Sequence, residues 1–202
     1  MPSLQRHMLR VASAAAMICE YFDEPINKES IIIACLVHDM GNIIKSKLEY
    51  FPEFNEPEGI DYWRKVQNEY LEKYGTDEHK ATIQIIKELN FSEDIINIVD
   101  KVDFSFACEN CDENNFANKI INYADWRVDP YEIVSYDERM DEAEKRYKNR
   151  KDNDFRIKER LKLIACGKEI EKQIFSHLKI KPEDINNESI KPYMEKLKDF
   201  EV

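Results

Sequence analysis

The stretch IIIACLVHDMGNIIK, residues 31–45, drives seven apolar residues, Ile31 to Val37, straight into His38 and Asp39. How this run folds decides the class of the molecule, and its periodicity allows two answers, a buried strand or part of a helix. Upstream, Asn27 has the side chain of an N-cap, which favours a helix running to about Ile44. Periodicity alone leaves the choice open at this point. Leu4, Met8, Val11, Ala15, Ile18, Cys19 and Phe22 recur at three- and four-residue steps, the stripe of an amphipathic helix. IDYWRKVQNEYLEKYG, residues 60–75, reads as a helix with Trp63, Val66, Tyr70 and Tyr74 inward, closed by Gly75. Thr76 or Asp77 caps a further helix carrying His79, Ile83, Ile86 and Asn90 on one side, and Ser92 caps another through Val102. SFACENCDENN, residues 105–115, reads as an irregular connector, and a helix follows from Asn115 to Val128, stopped by Pro130. No alternating pattern is long enough for a sheet, so the expected class is all-α.

The 202 residues suffice for one compact core with a modest appendage, and the formal charge of −11 disfavours a polymeric nucleic-acid partner. An anionic small substrate then needs a local cation. Five cysteines without regular spacing predict no disulfide framework, which sets a reducing cytoplasm as the expected location. CENC at 108–111 lacks the second pair that a structural zinc requires. No apolar run approaches the roughly 20 residues of a membrane span. Beyond Tyr136 dense alternating charge sets in, with helical patterns near 137–150, 156–178 and 189–199. This divides the chain into a core over 1–136 and an extension over 137–202, packed on the same domain or on a partner subunit, which leaves room for a homodimer.

Three of the four histidines, His7, His38 and His79, fall in the first 79 residues. Successive helical side chains diverge by about 100°, so His38 and Asp39 share an ion only if it sits between them near the helix end. Gly41 is expected to keep that side open, and the partial negative charge of a helix C-terminus favours a cation there. Further ligands must come from other helices, and His7 and Asp125 are the best placed. Two imidazoles with two carboxylates suit Mn, Fe, Co, Ni or Zn.

His7, the HD pair within VHDMGN, and Asp125 within NYADWRV together resemble the HD-domain superfamily of metal-dependent phosphohydrolases, over roughly residues 4–128. The resemblance implies an HD-type helical bundle, which settles the strand-or-helix choice at Ile31–Val37, and to which the charged C-terminal helices are an addition. It also implies one divalent ion, Mg included, on His7, His38, Asp39 and Asp125, and hydrolysis of a small phosphate ester, with a nucleotide as first choice. Many relatives read HDxGK or HDxxE, whereas position 42 is Asn. Asp39, His79 and Asn42 are therefore the candidate catalytic residues. Arg6, Lys45, Lys80 and Arg127 each flank a site residue and are the candidate phosphate ligands. Aromatics within 51–74 offer a lid on which a base could stack. Two alternatives are a binding module without turnover and a di-iron HD-type oxygenase.

Overall fold

The structure, a computed structural model, describes residues 1–147 and 154–200. The described residues hold ten α-helices and two isolated β-bridges, with no strand. None of these helices is long and apolar enough to cross a membrane.

Helix α1 (Pro2–Tyr21) is the centre of the bundle. Its small residues Ala12, Ala14 and Ala15 are fully buried beside Val11 and Ile18, so neighbouring helices approach its backbone closely. The apolar run of 31–37 forms α2 (Lys28–Val37), capped as expected by Asn27, whose side chain accepts from the Ser30 amide at 3.2 Å. It stops at Val37, seven residues before the expected end, and a 3-10 turn over Asn42–Lys45 follows a tight turn. That turn is built of i to i+3 bonds, Met40 N to Val37 O at 3.2 Å and Asn42 N to Asp39 O at 3.0 Å.

Helix α3 (Ile60–Tyr74) ends at Gly75, which takes φ +82°, and buries Trp63 in a small second core with Ile43 and Leu48. Asp77 caps α4 (Glu78–Glu88), accepting from the Lys80 amide at 3.0 Å. Ser92 stands at the N-cap of α5 (Glu93–Asp100) but makes no side-chain capping bond. The 105–115 segment is more regular than expected. A 3-10 turn at Phe104–Phe106 leads into α6 (Ala107–Asp112). Two long-range ties hold this short helix: Asn110 donates to Lys101 O at 3.1 Å, and Cys108 forms a disulfide with Cys166. The expectation that the cysteines stay unpaired is therefore corrected.

Asn115 caps α7 (Phe116–Asp125), which ends at Asp125 rather than Val128. Beyond it lie α8 (Tyr136–Tyr147), α9 (Asp154–Phe175) and α10 (Lys191–Lys198); the expected helical residues 148–150 lie outside the described residues. Ile170, Ile174, Ile185, Ile190 and Leu197 join the same core as α1 and α7, so the hydrophobic interior continues past residue 136.

Candidate metal centre

Helices α2 and α7 end at the same place. Two helix C-termini thus direct their partial negative charge at one point, and the groups they deliver there are His38, Asp39 and Asp125. The second turn of α1 brings His7. His7 Nε2 lies 3.0 Å from Asp125 Oδ1 and 3.4 Å from Asp39 Oδ2. His38 Nε2 lies 3.6 Å from Asp39 Oδ1 and 3.5 Å from Asp125 Oδ1. Bonds of about 2.1 Å to a divalent ion at tetrahedral or octahedral angles place ligand atoms roughly 3.0–3.4 Å apart. Both His7 spacings fall in that range, the two His38 spacings lie slightly beyond it, and His7, His38 and Asp39 offer ligand atoms all within 4.8 Å of one another.

The His38 imidazole gives a second test of that fit. Its Nδ1–H donates to the Cys35 carbonyl at 2.8 Å, which fixes the tautomer and turns the Nε2 lone pair toward the carboxylates. The side chain is 1% exposed and Nε2 has no hydrogen-bond partner. An orphaned buried acceptor is costly unless something binds it. Burial pulls the His38 imidazolium down, but the charges of Asp39 and Asp125 outweigh burial and carry it up to about 9. Burial likewise pushes Asp125 up, and the two imidazoles overcome this to hold it well below the usual carboxylate range. A divalent cation would compete with a proton for the His38 Nε2 lone pair.

Gly41 does not leave a side open. A Cβ there would lie 2.4 Å from Glu78 O and 2.8 Å from Thr82 N, because the first turn of α4 packs on the HD turn. The Gly41 amide donates to Thr82 Oγ1 at 2.9 Å, and that hydroxyl donates on to Glu78 O at 2.9 Å. This contact explains why α2 stops early. Gly41→Ala is expected to cost about 1–3 kcal/mol, the range for overpacking a rigid contact. A thermal melt checks it.

The same packing brings Lys45 near the cluster. Lys45 Nζ bonds Glu78 Oε1 at 3.1 Å. Burial lowers the Lys45 ammonium, but Asp39, Glu78 and Asp125 together raise it above its ordinary value. His79 Nε2 lies 3.6 Å from Asp100 Oδ1. Asn42 opens the 3-10 turn and Arg6 lies exposed on α1 next to His7.

Two expected phosphate ligands are placed elsewhere. Lys80 is 81% exposed and pairs with Asp77 at 3.1 Å. Arg127 is buried in the core, where it donates to Tyr123 Oη at 2.6 Å and Ile185 O at 2.8 Å, and also to the Val134 and Pro182 carbonyls. Its donors are committed within the fold. Sequence reasoning missed Thr82 and Glu78, which carry no motif and acquire a role only through the approach of α4 to Gly41.

A family model described as the HD domain matches residues 4–127, more than half of the chain. No curated protein and no solved structure matches.

Proposed function

This chain belongs to the HD-domain family, and from that premise we propose that it is a metal-dependent phosphohydrolase acting on a small phosphorylated metabolite, with a nucleotide as the first substrate class to test. The observation that carries this reading is the buried, unpartnered Nε2 of His38, oriented by Cys35 toward two carboxylates and a second imidazole. His7, His38, Asp39 and Asp125 would hold one divalent ion, which supplies Lewis acidity toward a phosphoryl oxygen and the attacking water.

The remaining steps fall to the chain's own side chains. Lys45, whose ammonium feels Asp39 and Asp125, binds a phosphoryl oxygen and offsets its charge, with the exposed Arg6 beside His7 as a second cation. His79, whose Nε2 lies 3.6 Å from Asp100 Oδ1, moves a proton. Asn42, uncharged, positions the substrate by hydrogen bonding. Tyr131 packs against Phe51 and Phe54 at ring-centroid distances of 6.0 and 5.5 Å, an aromatic surface suited to a nucleobase.

The test is phosphate release from nucleotides and other phosphomonoesters by metal-loaded protein, with metals per chain counted in parallel. Turnover that Asp39→Ala removes supports the reading. Tight ligand binding without product would make the protein a binding module, and two irons per chain with oxygen consumption would make it an oxygenase. His79→Gln is expected to lower kcat by about 100-fold while KM stays within about threefold, because general acid–base groups act in the transition state. Steady-state kinetics decide, with the surface variant Lys80→Ala as an unchanged control.

A further inference from the structure

Helices α6 and α9 meet along a seam that carries three of the five cysteines. Cys108 of α6 is bonded to Cys166 of α9. Cys111 is a free thiol one turn further along α6. Its Sγ also faces α9, accepting from Gln173 Nε2 at 3.6 Å. Gln173 lies two turns beyond Cys166, on the same face of α9. A structural clasp needs only two cysteines. The third completes the C-x-x-C spacing that suits exchange between dithiol and disulfide. A cavity of about 300 Å³, lined by Cys111 and Gln173, adjoins the seam and admits a small thiol.

We propose that Cys108, Cys111 and Cys166 form a thiol–disulfide exchange device that clasps and releases α9. Cys111 Sγ, as thiolate, attacks Cys108 Sγ. The Cys108–Cys166 bond breaks as the Cys108–Cys111 bond forms, the electron pair leaves on Cys166 Sγ, and the proton lost by Cys111 ends on Cys166. No external oxidant or reductant is consumed. A monothiol such as glutathione then reduces the Cys108–Cys111 pair in two exchange steps, leaving oxidised glutathione.

Release matters because α9 supports the helix that carries Asp125. Next to Cys166, Gly167 lets the Tyr136 ring pack on the α9 backbone: a Cβ there would lie 2.2 Å from its hydroxyl oxygen. One turn further, Glu171 Oε2 accepts from Tyr123 Oη at 2.8 Å, and Tyr123 lies two residues before Asp125.

The test uses full-length protein and needs no substrate. Disulfides are mapped by mass spectrometry of peptides under non-reducing conditions. Cys166→Ser protein treated with oxidised glutathione is expected to yield a Cys108–Cys111 link. In limiting reduced glutathione, Cys111→Ser is expected to open the Cys108–Cys166 bond about tenfold more slowly than the unaltered protein, because the tethered thiol has an effective concentration in the millimolar range. Cys166→Ser giving only glutathione adducts, or Cys111→Ser opening at the unaltered rate, overturns the proposal. The Cys111→Ser arm keeps the clasp intact, so it remains decisive if Cys166→Ser fails to fold.

Discussion

His38→Ala is expected to weaken divalent-metal binding by more than about 100-fold, measured by calorimetry on chelator-stripped protein. Loss of an outer partner of a metal ligand already costs about 10–100-fold, and this substitution removes the ligand itself. Of the four groups, His38 is the most constrained. The Cys35 carbonyl holds its Nδ1, its side chain is 1% exposed, and its Nε2 has no other occupation. His7, Asp39 and Asp125 have 21%, 19% and 28% of their side chains exposed and can relax toward water when the ion leaves. His38 cannot, so its removal should cost more than removal of His7. Phosphate release, if it depends on the ion, should fall in parallel. An affinity that stays within about threefold of the unaltered protein would mean that the cluster holds no ion, and the phosphohydrolase reading would go with it.

How much of this was legible in the sequence depended on how local the deciding interaction is. The α1 stripe, the Asn27 and Asp77 caps and the Gly75 terminus are written within a few residues, and the structure carries them as expected. The strand-or-helix ambiguity of Ile31–Val37 was settled by family resemblance, since an apolar run this short has no period of its own. The early end of α2 was not legible. It is set at Gly41 by the backbone of α4, about forty residues away, a contact no local pattern encodes. The same holds for α6, six residues long and tied through Asn110 to Lys101 and through Cys108 to Cys166. At the candidate metal centre the four groups that the resemblance implies, His7, His38, Asp39 and Asp125, lie together in space. The cations around it were chosen by adjacency in sequence, which predicts side-chain direction poorly once a helix ends.

Arg127 shows why, and Arg127→Ala is expected to lower stability by about 3–5 kcal/mol, since several buried acceptors lose their donor at once. Helix α7 closes at Asp125, so the chain has already turned when it reaches Arg127, and the guanidinium points into the core instead of along the ligand face. There it donates to the Val134, Pro182 and Ile185 carbonyls and to Tyr123 Oη, which in turn donates to Glu171 at 2.8 Å. Removing it leaves the three carbonyls and Tyr123 Oη without this donor in a buried setting. Each kcal/mol lowers Tm by about 2–4 °C in a chain of this size, so a fall near 10 °C is expected. Arg127→Lys should recover only part of it, because an ammonium cannot span the same carbonyls as a planar fork. The phosphate-ligand role expected from sequence makes the opposite prediction, a raised KM with an unmoved melt. Measuring both on one variant separates a residue that holds the C-terminal segment against α7 from one that holds substrate.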